Sequence, residues 1–385
     1  MWAIDIVENI VLNIYPILLL IVTFFGAKHS KKGEVADDFL SLSQSKLIQG
    51  FACMAIIIHH LTQQITEYGY VDKGFITIFN YIGIMFTALF FFFSGYGLIT
   101  SVYTKENYMK SFLAKRFLTV LIPFWIINIL GFLLVTLVYG AKYTMPEAIS
   151  DIFGYTLINS NGWFIVEIVF IYIFFYVLFS LIKNKDVAMV LLTIAVILII
   201  VYSYFQGHDE GAKSHWFKGE WWFNSTFTFI FGMFFARFKD GLTTFINKHY
   251  KTVMAITIVL FIITLYESIL NVMRFGYYMD IDVGIGKYGK FITLISQMAV
   301  CLVSTMFVLL LNMKITLGNK VLRCISGMSV ELYLIHGFFV HNIFGSVRMG
   351  DVTRFAVVLA CSIVCTAIVS PIIRWIVKKV VPGKL

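Results

Sequence analysis

Two adjacent histidines, His59 and His60, lie near the end of an apolar stretch that begins at Lys46. The stretch is long enough for a membrane-spanning helix, which needs about 20 residues. Imidazole titrates near neutral pH and is costly to place in hydrocarbon, so a histidine at membrane depth predicts a functional role. Neutral imidazole can take a proton from a hydroxyl group or attack a carbonyl carbon as a nucleophile. The alternative is an interhelical hydrogen bond that serves packing alone.

Further polar groups lie in apolar stretches later in the chain, namely Glu167 and then Glu331, Tyr333 and His336. Tyr333 and His336 are three positions apart and can share one helix face, whereas Glu331 and Tyr333 face different sides. We expect His60, His336 and Glu167 to lie at similar depths in the membrane. The sequence therefore predicts one site formed by histidines and an acid from separate helices.

Other catalytic and metal-binding patterns are missing from the sequence. Cys361 and Cys365 share a helix face, but no histidine or acid lies nearby in the sequence to complete a zinc site. We found no GxSxG, HExxH, Walker or Rossmann motif. The sequence predicts no metal site.

The composition indicates which elements must position these groups. The chain has 385 residues, of which 59% are hydrophobic and 13% charged, against roughly 25% charged residues in soluble domains. The apolar runs are continuous and do not alternate as they would in an outer-membrane barrel. We predict an all-α integral membrane protein, a polytopic bundle of about eleven transmembrane helices. The predicted spans are 6–27, 46–66, 77–102, 117–139, 163–182, 187–206, 221–238, 252–271, 288–312, 325–346 and 355–377.

The basic residues predict the orientation. With the N-terminus outside and the C-terminus in the cytoplasm, 21 of the 30 Lys and Arg residues lie on the cytoplasmic side, as the positive-inside rule requires. The net charge of +9 is then mostly a topology signal. It implies no nucleic-acid partner, and membrane lipids are the expected surroundings.

The connections between the spans are too short for an appended soluble domain, and no linker or repeat is visible. The most polar connection is 207–220, which contains His208, His215 and Trp216. Its composition is typical of a solvated loop, although a lid that binds an acceptor has the same composition.

The helix that carries the histidine pair resembles a motif of the acyltransferase 3 family, membrane O-acyltransferases that modify bacterial surface glycans. In that family an early helix begins with a basic residue and ends eleven positions later in a histidine. The segment QGFACMAIIIHH places His60 at the histidine position and Gln49 at the basic position. This departs from the family pattern, but Lys46 lies one turn earlier.

Four further segments resemble the family in the family's order, from about residue 43 to 345. They are the apolar run that contains Ser94, KRFLTVLIPFW with Arg116, NGWFIVEIVF with Trp163, and ISGMSVELYLIHGFFV with Tyr333 and His336. The family core has ten spans. The resemblance thus implies an acyltransferase 3-like membrane domain over 43–385, preceded by an extra transmembrane helix and a cytoplasmic connection over 1–42.

The resemblance implies an acyltransferase that transfers groups other than amino-acyl groups. The acyl group, commonly acetyl, would pass from cytosolic acyl-CoA to a hydroxyl of an extracytoplasmic glycan or lipid-linked sugar. His60 would act as base or nucleophile, with His59 and His336 as further catalytic candidates. An acid, Glu167 or Glu331, would orient the imidazole ring.

The resemblance also implies where the substrates bind. Arg116 and Lys46, with Gln49, would meet the phosphates of the donor, while Ser94, Trp163, Tyr333 and Glu331 are further substrate-binding candidates. Acyl-CoA is a donor substrate, and no bound cofactor is implied. Some relatives carry an extracytoplasmic esterase-like domain that completes the transfer, so we expect direct delivery here or a separate extracytoplasmic partner.

Two alternatives remain at the level of sequence. One is a transporter or flippase of a lipid-linked saccharide, in which the intramembrane His and Glu residues relay protons. The other is a different membrane O-acyltransferase family that also uses an intramembrane histidine.

Overall fold

The computed structural model describes residues 2–30, 35–36, 39–205, 224–276, 286–345 and 347–381. Helices dominate these residues, and the two-residue strands β1 (Lys28–His29) and β2 (Ile315–Thr316) pair antiparallel. The α-helices are α1 (Trp2–Phe24), α2 (Leu42–Ile65), α3 (Phe79–Thr104), α4 (Leu118–Tyr139), α5 (Met145–Phe153), α6 (Trp163–Leu181), α7 (Lys185–Phe205), α8 (Phe227–Arg237), α9 (Lys239–Lys248), α10 (Tyr250–Phe275), α11 (Gly286–Lys314), α12 (Lys320–Gly327), α13 (Ser329–Gly337) and α14 (Asp351–Val380). The prediction of an all-α membrane bundle is confirmed.

Eight helical regions in the described ranges are long and apolar enough to cross a membrane. Each coincides with one of the predicted spans. They are Ile6–Phe24, Gly74–Thr104, Leu113–Tyr139, Ser160–Leu181, Lys185–Phe205, Tyr250–Phe275, Tyr288–Lys314 and Asp351–Val380.

The other three predicted spans also fall on helices, and each differs from a uniform apolar helix. The span 46–66 forms α2, which has 24 residues but carries several polar side chains. The span 221–238 contains α8, which begins at Phe227 and has 11 residues. The span 325–346 is divided among α12, α13 and a π-helical turn, Phe338–Ile343. Turns of this type occur frequently at functional sites.

Glycines allow close contact between the central helices. A Cβ atom on Gly95 of α3 would lie 2.2 Å from the Phe229 carbonyl oxygen of α8, and one on Gly232 would lie 2.1 Å from the Phe92 carbonyl oxygen. A Cβ atom on Gly50 of α2 would lie 2.7 Å from the Leu322 carbonyl oxygen of α12. Small residues at such crossings are typical of membrane bundles. They bring α3 against α8 and α2 against α12.

The first helix, α1, packs against this bundle. Asn13 donates a hydrogen bond to the Lys73 carbonyl oxygen over 2.8 Å and accepts one from the Ile76 amide over 2.7 Å. The rings of Tyr15 and Phe355 lie 4.3 Å apart between centroids. The predicted extra helix is therefore tied both to the loop before α3 and to α14.

Candidate active site

Two histidines from distant parts of the sequence lie in direct contact. His60 Nδ1 lies 2.8 Å from His336 Nε2, and the two rings are stacked, with 5.0 Å between their centroids and 12° between their planes. α2 supplies His60 near its C-terminal end, and α13 supplies His336. His336 is completely buried, whereas His60 is half-buried.

The hydrogen bonds determine the tautomers of this pair. His336 Nδ1 lies 3.2 Å from the Leu332 carbonyl oxygen, and because a carbonyl only accepts, Nδ1 carries the hydrogen. Nε2 of a neutral His336 is then an acceptor, so His60 Nδ1 donates to it. The remaining nitrogen of His60, Nε2, keeps its lone pair. The contacts thus leave one basic and nucleophilic nitrogen on His60.

The His60 ring lines a cavity of about 200 Å³. We call it the histidine cavity. Its described lining consists of Ile56, His59, His60, Gln63, Tyr68, Gly83, Ile84, Thr87, Ser160, Asn161, Trp163, Asn224, Ser225, Tyr333 and His341. His336 lies behind His60 and does not line the cavity, so the side chain exposed to a substrate is His60.

His59 lines the same cavity but is held differently. Its Nδ1 donates to the Phe79 carbonyl oxygen over 2.5 Å. The ring lies against Gly83, where a Cβ atom would be only 2.3 Å from His59 Cδ2. His59 therefore connects α2 to the start of α3, and the space for its ring depends on a glycine.

The structure brings Tyr333 and Trp163 to the histidines. The Tyr333 and His336 rings lie 5.7 Å apart between centroids, which agrees with the shared helix face expected from their spacing. Trp163 is the first residue of α6 and also lines the cavity. Together with His60, these residues come from three separate helices.

Neither acid contacts the His60 ring. Glu167 is completely buried, accepts a hydrogen bond from Thr226 Oγ1, and does not line the cavity. The expectation that Glu167 or Glu331 orients the ring requires correction, because the group that contacts His60 Nδ1 is His336.

Glu331 lies in the first turn of α13, away from the cavity. It is buried and interacts electrostatically with Arg374 of α14. In the same region, Cys53 Sγ lies 3.5 Å from the Ser329 carbonyl oxygen. Glu331 thus belongs to the packing between α13 and α14, because the face of α13 that carries Tyr333 and His336 points elsewhere.

Ser94 and Arg116 form a second polar group, which we call the Arg116 cluster. Ser94 Oγ lies 2.8 Å from the Tyr172 hydroxyl, and Arg116 Nε donates to the Tyr108 hydroxyl over 3.1 Å. The Arg116 guanidinium also interacts electrostatically with Tyr172. These residues do not line the histidine cavity.

Lys46 and Gln49 lie at the other end of α2 from the histidines. Fourteen residues of helix separate Lys46 from His60, a rise of about 21 Å. Lys46 is exposed and Gln49 is half-buried. They occupy a region distinct from the histidine cavity. The connection 207–220 lies outside the described residues.

Several cavity residues were not among the candidates from sequence. Asn161, Asn224 and Ser225 line the cavity from the residues that precede α6 and α8. The available signal was the polar run Asn224-Ser225-Thr226 inside an otherwise apolar stretch.

Tyr68, which also lines the cavity, has a left-handed backbone with φ of 58°, and its neighbour Glu67 has φ of 48°. Such conformations are costly for residues other than glycine and cluster at functional sites. No sequence pattern predicts them here. Within the described part of the chain, no group of three or more His, Cys, Asp or Glu residues is arranged to hold a metal ion.

Comparison with protein families settles the class of the protein. The family model for acyltransferase 3, described as an acyltransferase domain, matches residues 43–375. The chain belongs to the acyltransferase 3 family. The match covers most of the chain and begins after α1. Membership of this family implies acyltransferase activity in a membrane-embedded protein. No curated protein and no solved structure matches the chain.

Proposed function

We propose that this acyltransferase 3 protein moves an acetyl group from cytosolic acyl-CoA to a hydroxyl of an extracytoplasmic glycan or lipid-linked sugar. The observation that carries the proposal is the His60–His336 contact of 2.8 Å, which leaves His60 Nε2 unprotonated in a ring that lines a cavity with amide and hydroxyl side chains. A base or nucleophile held by a second group is the arrangement that acyl transfer requires.

His60 Nε2 supports the reaction in one of two ways. As a base, it takes the proton of the acceptor hydroxyl while the oxygen attacks the thioester carbonyl carbon. The carbon–sulfur bond then breaks, and the CoA thiolate takes up the proton from His60. As a nucleophile, Nε2 bonds to the carbonyl carbon, the carbon–sulfur bond breaks, and CoA leaves as the thiolate. The acceptor oxygen then attacks the same carbon, the carbon–nitrogen bond to His60 breaks, and the CoA thiolate takes up the hydroxyl proton. Both routes need the same free nitrogen.

The cavity favours a short acyl group and a sugar hydroxyl. A volume of about 200 Å³ is below the 300–1,000 Å³ of sites that enclose a whole small molecule, so the bulk of the CoA must lie outside it. Amide, hydroxyl and aromatic side chains such as Asn161, Ser225 and Trp163 line the cavity. These are groups that hydrogen-bond hydroxyls and cover the apolar faces of sugar rings.

The proposed orientation places the N-terminus outside a bacterial plasma membrane and the C-terminus in the cytoplasm. The Arg116 cluster and Lys46 then lie toward the cytoplasm, where they would meet the phosphates of acyl-CoA, while the histidine cavity lies near the outer surface. Single cysteines in a cysteine-free background test this with an impermeant thiol reagent. Positions near Lys110 and Lys248 should resist labelling in intact cells, and positions near Lys142 should react. The reverse pattern would overturn the orientation.

The activity is tested with the purified protein, acetyl-CoA and a glycolipid extract of the source membranes. We expect release of free CoA and transfer of label from [¹⁴C]acetyl-CoA to the extract, both abolished in His60→Ala. His59→Ala is the matched control, because it removes the neighbouring imidazole but leaves the His60–His336 contact, and we expect it to retain part of the activity. Full activity in His60→Ala would refute the proposal. A wild-type protein that releases no CoA but translocates a lipid-linked saccharide would favour the transporter.

A further inference from the structure

Asn161, a residue of the histidine cavity lining, carries a buried hydrogen-bond donor without a partner. Its side chain is 5% exposed, it lines the cavity, and its Nδ2 has no hydrogen-bond partner in the structure. Burial of an amide nitrogen without a partner is unfavourable, and native proteins usually avoid it. A donor left in this state, in a residue that lines the same cavity as His60, is expected to serve a bound substrate.

The surrounding contacts hold this amide in place. Asn159 donates from Nδ2 to the Leu334 carbonyl oxygen of α13 over 2.6 Å, and its Oδ1 accepts from the Asn161 backbone amide over 3.1 Å. Asn159 thereby ties the turn before α6 to the helix that carries His336.

Gly337 provides the space for the Asn161 side chain. A Cβ atom on this residue would lie 2.7 Å from Asn161 Nδ2 and 2.3 Å from Asn159 Oδ1. Gly337 directly follows His336 in the sequence. The Asn161 side chain is therefore packed against α13 at Gly337, next to His336, which orients His60. The positions of Asn161 and His60 both depend on the segment His336–Gly337.

We propose that Asn161 Nδ2 donates a hydrogen bond to the carbonyl oxygen of the acyl group as it reacts at His60. This inference rests on the proposed function. When the attacking oxygen or nitrogen bonds to the carbonyl carbon, the π electron pair moves to the carbonyl oxygen. The resulting oxyanion accepts the Asn161 hydrogen bond until the pair returns and the thiolate leaves. A fixed donor of this kind lowers the barrier because the negative charge develops only in the transition state.

Asn224, the other cavity amide with an unpaired atom, cannot serve in the same way. Its Nδ2 donates to Gln297 Oε1, and the atom left without a partner is the acceptor Oδ1. An acceptor repels an oxyanion. Asn224 is suited instead to accept a hydrogen bond from a hydroxyl group, so the two amides differ in the charge they favour.

The test compares Asn161→Ala and Asn161→Asp with Asn128→Ala. Asn128 is an equally buried asparagine on α4 that donates to the Asp151 and Ile152 carbonyl oxygens and does not line the cavity. We expect both Asn161 variants to lower kcat by about 10²- to 10³-fold, the usual effect of losing one oxyanion donor. The KM for acetyl-CoA and the Kd for an unreactive thioether analogue of acetyl-CoA should stay near their wild-type values. Asn128→Ala should keep its kcat.

The outcomes separate this inference from the proposed function. A wild-type protein that transfers no acetyl group contradicts the proposed function itself. An active wild type and an inactive His60→Ala, combined with a kcat in Asn161→Ala no lower than in Asn128→Ala, contradicts only the role of Asn161. Thermal melting in detergent is measured for each variant. If Asn161→Ala and Asn161→Asp lose activity only in proportion to lost folded protein, Asn161 is structural and the inference is wrong.

Discussion

The histidine cavity and a second group of polar residues, Asp186, Arg237 and Tyr103, use their side chains in contrasting ways. We call the second group the paired group. Asp186 of α7 accepts hydrogen bonds from Arg237 of α8 over 2.7 Å and 3.2 Å and from the Tyr103 hydroxyl of α3 over 2.5 Å. The Arg237 guanidinium also lies 5.1 Å from the Tyr103 ring centroid. In this group, both charges are paired and three helix ends are joined.

The cavity, by comparison, leaves polar atoms unpaired. Asn161 Nδ2 and Asn224 Oδ1, which belong to residues of its lining, have no hydrogen-bond partner in the structure. Mutually satisfied polar groups stabilise a particular arrangement of helices, while unsatisfied ones in a cavity are expected to bind a ligand. An unpaired atom also occurs away from the cavity, as in Asn128 Oδ1. The combination of an unpaired atom and a position in the cavity lining is therefore what points to a substrate.

The strongest test of this distinction is His336→Ala, which should lower kcat by roughly 100-fold, a typical size for a contribution to general base catalysis. Without His336, nothing fixes the tautomer of His60, so Nε2 carries the proton in part of the molecules. His336→Gln keeps a side-chain acceptor near the same place and should restore part of kcat. Equal loss in the two variants, or a loss explained by reduced thermal stability, would indicate that His336 only fills space. The pH dependence of kcat provides a second readout, since a positioning residue should shift it.

A smaller effect, on the KM for acetyl-CoA, is expected at Lys46, where the phosphates of the acyl donor are proposed to bind. Lys46→Ala should raise the KM for acetyl-CoA about two- to fivefold, the size of one exposed charge interaction, and leave kcat unchanged. Gln49→Arg in that background should restore KM in part, because the two positions are three apart and share a face of α2. Lys142→Ala is the control, an exposed lysine predicted to lie on the outer side. Unchanged KM in Lys46→Ala would leave Lys46 as a topology signal only.

The smallest effect on activity is expected in the paired group. Asp186→Ala should leave kcat and KM for acetyl-CoA unchanged and lower the Tm by a few degrees at most, because exposed ion pairs contribute little to stability. The measurement is a thermal melt in detergent together with the acetyl-transfer assay. A large drop in kcat with no change in Tm would show that this group, too, takes part in catalysis.

The sequence predicts the membrane bundle well, because each helix carries its own apolar signal. It also indicates His60, His336 and Tyr333, since polar side chains are rare in such helices and a spacing of three places two of them on one face. The contact between His60 and His336 spans 276 positions in the sequence. Periodicity within one helix cannot show which polar side chains of different helices are in contact. For this reason the sequence predicted an acid as the partner of the His60 ring, where the structure has His336.

The remaining cavity residues were harder to predict for a different reason. Asn161 and Asn224 lie in turns before helices, where side-chain direction follows no period, and a polar residue in a turn is ordinary. The left-handed backbone of Tyr68 depends on the packing around it. Helix α2, finally, is less apolar than a typical span because polar side chains lie at both of its ends, from Ser43 to Lys46 and from His59 to Gln64.

The π-helical turn Phe338–Ile343 has a consequence for insertions and deletions. In a regular α-helix, residues five apart differ by about 140° around the axis, which would turn His341 away from the face of His336. A π-helical turn aligns residues that are five apart, and the His341 ring indeed lies 6.4 Å from the His60 ring. The extra residue in this turn therefore keeps His336 and His341 on one face of the helix although they are five residues apart. Deleting a single residue between 338 and 340 would leave the two histidines four apart, about 40° in a regular α-helix, so His341 would stay on the face of His336. Inserting a single residue there would make them six apart, about 120° in a regular α-helix, and would turn His341 away.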